Sequence, residues 1–172
     1  MEMDQIYKDI DFLTNIARGF MPAEALLVAN ELGLFSIIGD EGKNLKIICD
    51  EAKTDIRATE ILLNALVGMD LLKKKKDFFE NSFMTKEYLI PGKKYYQGDL
   101  FKHSYRVRAR WGNLLDVLRT GRPVEPVWKE PEKSEEDKRS FIMGMANIAH
   151  MSAEKLISVL DLSQAGTLLD LG

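Results

Sequence analysis

The residues best placed to do chemistry lie at the C-terminal end, where Thr167-Leu168-Leu169-Asp170-Leu171-Gly172 is an apolar run closed by an acidic residue and a glycine. That order suits the opening of a nucleotide-type βαβ unit, in which a strand delivers Asp170 and Gly172 to a turn and the glycine lets backbone approach a ligand. An ordinary strand and turn would read the same way. A complete unit also needs further turn glycines, a helix N-terminus and an acidic residue roughly 20 positions on for a ribose hydroxyl. None of these comes after Gly172, so the expectation is of the front part of a longer protein.

Elsewhere the chemistry-bearing residues are sparse. His103 and His150 are the two histidines; either could titrate near neutral pH. Neither stands in a metal-ligand spacing or beside a nucleophile that would complete a triad, so both read as structural and no metal is expected. There is no Walker loop, zinc motif or GxSxG elbow. The single Cys49 cannot form an internal disulfide. Glu2, Asp4 and Asp9 stand where a secretory signal would carry basic residues, so the chain reads as cytoplasmic. No apolar stretch approaches the roughly 20 residues that cross a bilayer, so no membrane partner is expected.

Charge is unevenly spread over the 172 residues, although the net is only −3. Residues 1–90 carry 11 Lys plus Arg against 16 Asp plus Glu. From Lys93 to Arg122 the balance reverses, with eight basic residues against Asp99 and Asp116. Such a stretch can be a nucleic-acid patch, but on an amphipathic helix it is more simply a solvated face or a set of partners for acidic neighbours.

The elements that must carry these residues are mostly helical. A first helix is expected from Asp4 to Arg18, with Ile6, Ile10, Leu13 and Ala17 on one stripe and Phe12 and Ile16 on another. Two apolar faces need two partners. A second helix starts near Pro22, a residue suited to the first helical position, and carries Ala25, Val28, Ala29 and Leu32 at helical spacing, with Leu26 and Leu27 widening the apolar surface. Helices this apolar at a chain terminus form core or a subunit interface. After Leu34–Ile38 and a loop through Gly39 and Gly42, a short helix over 45–52 should turn Leu45, Ile48, Cys49 and Ala52 inward. Asp55 is a candidate N-cap for a helix from Ile56 to Met69 that would bury Ala58, Ile61, Leu62, Ala65, Leu66 and Met69. Leu71-Leu72 and Phe78-Phe79 read as short strands around the Lys73 to Asp77 turn.

Three helices and a hairpin are the order of a winged helix, so the third helix must be inspected for DNA-reading residues. It offers Arg57 alone against Asp55, Glu60 and Asp70. Lys73 to Lys76 in the wing read as a solvated hairpin tip that discourages edge pairing. Further on, a long helix from Asp99 to Arg119 carries Phe101, Tyr105, Arg108, Trp111, Leu115 and Leu118, and Gly121 before Pro123 stops it. Val124 to Ser134, with Pro126 and Pro131 and several charges, reads as a linker. A helix from Ser134 to Ala149 comes next, with Ser134 and Asp137 at its start, then another over Ser152 to Leu160, then the final strand.

The order and spacing of four stretches now carry a resemblance: Ala29-Asn30-Glu31-Leu32-Gly33-Leu34-Phe35, Leu62-Leu63-Asn64-Ala65-Leu66, Trp111-Gly112-Asn113-Leu114-Leu115 running to Arg119-Thr120-Gly121-Arg122-Pro123, and Leu168-Leu169-Asp170-Leu171-Gly172. Over essentially its whole length the chain resembles the N-terminal half of the S-adenosylmethionine-dependent small-molecule O-methyltransferases of the caffeate and hydroxyindole type. The resemblance implies a mostly α fold: a winged-helix dimerisation domain over 1–92, a helical connector and substrate lid over 93–150, and over 151–172 the first strand of an incomplete Rossmann-like α/β domain. It implies a homodimer entwined through the N-terminal helices, with S-adenosyl-L-methionine and a small-molecule acceptor as ligands of the complete protein and no nucleic acid. Asp170 and Gly172 correspond to the opening of the cofactor motif. Phe141 and Met145 correspond to positions lining the acceptor pocket, although a stripe closing a domain junction would look the same. The family's histidine general base lies beyond this chain, so no catalytic residue is expected here and the chain alone should be inactive. The alternatives are a winged-helix DNA-binding regulator and a stand-alone dimerisation module without catalysis.

Overall fold

A computed structural model describes residues 3–122, 135–161, 163, 165–167 and 169. Asp170, Gly172 and the whole of the expected linker, Val124 to Ser134, lie outside the described residues. The order is α1 (Met3–Arg18), α2 (Phe20–Glu31), α3 (Leu34–Ile38), β1 (Lys43–Asn44), α4 (Leu45–Ala52), α5 (Ile56–Gly68), β2 (Leu72–Lys75), β3 (Phe78–Asn81), α6 (Phe83–Leu89), α7 (Gly98–Trp111), α8 (Leu114–Thr120) and α9 (Glu135–Ile157).

Helices α2 to α5 and a three-stranded antiparallel sheet of order β1-β3-β2 make the winged helix. Its core is Ala29, Leu34, Phe35, Ile38, Leu45, Ile48, Cys49, Leu63, Leu66, Leu71, Leu72, Phe79 and Leu89. Local chemistry fixes the helix starts: Asn44 accepts from the Ile47 amide at 3.1 Å, and Asp55 from the Ala58 amide at 2.8 Å. Each satisfies an amide that would otherwise have no partner in the first turn. The wing is held at its root. Buried Asn81 donates through Nδ2 to the carbonyls of Phe35 and Gly39, both at 2.8 Å, and Thr85 Oγ1 donates to the Leu71 carbonyl at 2.6 Å.

Several expectations shift. Pro22 occupies the third position of α2 rather than the first. Helix α5 turns Thr59, Leu63 and Leu66 inward and leaves Ala58, Ile61 and Ala65 exposed. It is apolar on two sides, and periodicity alone does not say which side meets the core. The long helix from Asp99 breaks at Gly112-Asn113 into α7 and α8, because glycine weakens a helix interior and asparagine favours turns. The two helices expected over 134–149 and 152–160 are instead the continuous α9, with no glycine or proline between 149 and 152 to part them. Of the expected final strand, Thr167 and Leu169 are described and neither is in a strand.

Candidate functional site

Two regions stand out: the outer faces of the N-terminal helices, and the seam where α7 meets α9. Helix α1 buries no residue. Tyr7, Ile10, Phe12, Leu13 and Ile16 are each more than half exposed, and Phe20 and Met21 continue the surface into α2. Ile61 on α5 and Phe83 on α6 add 63% and 77% exposure. Scattered surface leucines need no explanation, but helices with apolar outer faces on this scale mark an interaction surface.

The basic stretch is largely absorbed within the chain. Arg108 Nε meets Glu24 Oε2 at 2.6 Å, and Arg106 meets Glu31 at 3.6 Å, so α7 is clamped to α2 twice. The guanidinium of Arg108 also lies 3.6 Å above the centre of the Tyr105 ring. A buried bond from Asn30 Nδ2 to the Gly98 carbonyl, 2.9 Å, fixes the start of α7 against the same helix. Lys93 pairs with Asp40 at 3.3 Å and Lys94 with Glu154 at 2.8 Å. In the wing, Lys74 turns back onto α5, reaching Glu60 at 3.1 Å and Asn64 at 2.8 Å and covering the Phe79 ring. The spacing of these basic residues gave no hint of which acids they would meet.

Helix α9 crosses the first turn of α7 at Gly144, which is buried, and a Cβ there would lie 3.1 Å from the Leu100 Cα. That near contact is why a glycine stands in the middle of a long helix. Beside the crossing, a cleft of about 230 Å³ is lined by Lys94, Tyr96, Gln97, Asp99, Asn147 and His150, among others. Tyr96 is half buried there. Burial, with a smaller contribution from Asp99, pushes its phenol up to about 12. A second cleft of about 90 Å³ lies between α2, α3 and the segment after α6, with Glu31 and Lys102 on its walls.

The sequence-derived candidates divide as follows. Phe141 and Met145 sit one turn apart on α9, 46% and 40% exposed, and the Phe141 ring meets His103 of α7 edge-on at 5.2 Å. Sequence reasoning did not connect His103 with Phe141, because that contact depends on how α7 and α9 cross. His150 approaches Glu154 at 3.8 Å within α9. Asp170 and Gly172 lie outside the described residues. Among the described residues no group of three or more His, Cys, Asp or Glu could hold a metal, and no helix is long and apolar enough to cross a membrane. Cys49 is buried in the core.

Comparison with known proteins gives these shapes a context. Residues 14–90 match the family described as the O-methyltransferase dimerisation domain. The chain is 28% identical over 185 aligned positions to acetylserotonin O-methyltransferase of Homo sapiens, covering 98% of this chain and 53% of that protein. It is 24% identical to the N,N-dimethyltransferase OxyT of Streptomyces rimosus, covering 93% and 49%. The crystal structure of human N-acetylserotonin methyltransferase in complex with SAM shares the fold, with a TM-score of 0.75 at 24% identity over 95% of this chain and 52% of that one. The chain thus spans about half the length of the curated relatives it matches.

Proposed function

We propose that this chain, whose residues 14–90 match the O-methyltransferase dimerisation domain, is the N-terminal dimerisation and substrate-lid part of an S-adenosylmethionine-dependent methyltransferase acting on a small hydroxylated molecule. The observation that carries the reading is the coincidence of that domain with helices whose apolar faces point outward: α1 buries nothing in its own chain. A second copy is the partner that such a surface fits. Residues 1–92 would make the homodimer, 93–150 would wall the acceptor site, and 151–172 would begin the donor-binding domain, in a cytoplasmic enzyme.

In-line transfer of a methyl group requires donor and acceptor held about 3 to 3.5 Å apart in a dry pocket, with a general base to take the hydroxyl proton. When bound, S-adenosylmethionine supplies the methyl group. Neither of the two clefts described above is a seat for it: at about 230 and 90 Å³ both fall below the roughly 300 to 1,000 Å³ of ordinary ligand pockets. Asp170 and Gly172 remain the candidates for its opening contacts. What the chain contributes on this reading is Phe141 and Met145 as apolar wall, excluding water on the acceptor side, and a rigid path from α2 through α7 to α9 that holds that wall in place.

Sedimentation equilibrium at micromolar concentration tests the proposal. A dimer of the 19.6 kDa chain is expected, with an interface on the order of 2,000 Å² or more if the association is obligate. A clean monomer would sink the reading. The regulator alternative has weaker support, because Lys74 is engaged with α5 and α5 presents Ile61, Ala58 and Ala65 to solvent where a DNA reader would place polar and basic side chains.

A further inference from the structure

Every residue of α9 from Ile148 onward is exposed, so the last three turns of this helix run past the body of the protein without burying a side chain. Polar bonds nevertheless tie them down. The segment between α6 and α7, residues 92–97, passes alongside and reaches them through three side chains. Lys94 Nζ meets Glu154 Oε1 at 2.8 Å, the Tyr95 hydroxyl donates to Glu154 Oε2 at 3.4 Å, and Gln97 Nε2 lies 3.6 Å from the Met151 sulfur. His150, one turn earlier, approaches the same carboxylate at 3.8 Å. Glu154 is therefore the hub: both of its oxygens are engaged by the strap. The hydrogen bond from Lys94 is the largest of the effects holding its carboxyl below the usual range.

The strap itself is anchored. The Gln97 amide donates to the Tyr88 carbonyl at 2.7 Å, tying it to α6, and Lys93 pairs with Asp40 next to the α3 end. A force on Glu154 is thus carried through Lys94 into the winged helix, not only into α7.

We propose that Glu154 is a positioning residue: caught by Lys94 and Tyr95, it pins the C-terminal turns of α9 to the 92–97 strap and so fixes the direction in which α9 leaves the dimerisation unit. This rests on the proposed function in one respect, that α9 leads into the donor-binding half. Upstream, the Gly144 crossing fixes where α9 sits. The pin fixes where it points, and an error of a few degrees there would grow with distance along the chain beyond α9.

Hydrogen exchange measured by mass spectrometry on the full chain tests this with an unusual advantage, since the pin and the helix itself predict opposite signs. Glu154 lies in the last turn of α9, where a negative charge opposes the helix dipole. If the helix were all that mattered, Glu154→Gln would slow exchange over residues 148–157. The pin predicts that it quickens exchange there by about two- to fivefold, the range expected for loss of an exposed ion pair, with 136–146 and 98–111 unchanged as internal controls. Lys94→Met should do the same, and the charge swap Lys94→Glu with Glu154→Lys should recover at least half of the lost protection. Slower or unchanged exchange in Glu154→Gln, or a swap that recovers nothing, overturns the proposal. Sedimentation of the same variants separates the two ideas: the pin variants should keep the association state of the parent, so a monomeric parent would defeat the proposed function while leaving the exchange result to decide the pin.

Discussion

At the residue scale, single groups with unambiguous partners make the sharpest expectations. Asp55 caps α5 through the Ala58 amide, so Asp55→Ala should lower stability to denaturant by about 1 kcal/mol. Asn81 is 3% exposed and serves two carbonyls at the root of the wing. Asn81→Leu would leave both carbonyls without that donor and should cost about 1 to 3 kcal/mol or more, read from the shift in urea midpoint. Tyr96 gives a pH signature. Its folded phenol titrates at about 12 against about 10 for an unfolded tyrosine, so burial favours the neutral form. The stability this group contributes is full below pH 10 and is lost as pH rises from about 10 to 12. Urea midpoints measured between pH 9 and 11.5 should therefore fall with pH, and Tyr96→Phe should flatten that part of the slope; an unchanged slope would show that the phenol does not drive it. Both caps at 44 and 55 are short polar residues just before an apolar run, but only Asp55 was recognised from the sequence. The role of Asn81 was not foreseeable, since its two acceptors are 46 and 42 positions away and nothing local announces them.

At the scale of elements, legibility tracked the strength of the local signal. Helix α1 over Met3–Arg18, α4 over Leu45–Ala52 and the capped start of α5 fell where periodicity and capping placed them. The hairpin is present, but Lys73 to Lys75, expected in its turn, belong to β2 and pair with Glu80, Phe79 and Phe78, so the turn shrinks to Lys76-Asp77. The two-residue strand β1, which pairs Lys43 with Phe79, carries too little pattern to announce itself, and α6 was missed because Phe83 and Met84 face outward and its buried side is only Thr85 and Leu89, one of them polar. The buried face of α5 was misjudged for a related reason: with apolar residues on two sides, tertiary packing chose between them. Helix α7 was anticipated, but its clamps to α2 were not. Asn30 donates to the Gly98 carbonyl in a buried setting, so Asn30→Ala should loosen the start of α7 and cost about 1 to 3 kcal/mol. Glu24, only partly buried, should matter less: Glu24→Gln is expected to cost about 1 kcal/mol or less, because an ion pair in contact with water is weak. A larger loss in the second variant than in the first would reverse the ranking of these two clamps. Gly144→Val, at the α7 and α9 crossing, should push the helices apart and reduce near-ultraviolet signals from the aromatic pair His103 and Phe141.

For the molecule as a whole, the candidate site was legible in outline only. Phe141 and Met145 could be named from a resemblance, and both are half exposed on α9, but their exposure does not say what that face meets. On the proposed function most of the donor site belongs to the other half of the protein, so calorimetric titration of this chain with S-adenosylmethionine should show no measurable heat of binding; micromolar affinity would mean that the donor site is misplaced. Duplex DNA should be retarded weakly at low salt and released near 150 mM, since only a few lysines of the wing would meet phosphates; sequence-selective retardation at that salt would promote the regulator reading. Helix α1 buries no residue within its own chain, and an isolated helix of 16 residues is marginal in water. On the proposed function its order is borrowed from a collision, and the amount of protein becomes a variable of its structure. On dilution, helical signal from residues 3–18 should fade before the winged-helix core melts, and the thermal midpoint should climb with the logarithm of protein concentration. A newly made copy would hold that segment open, greasy and unfinished, until it meets another.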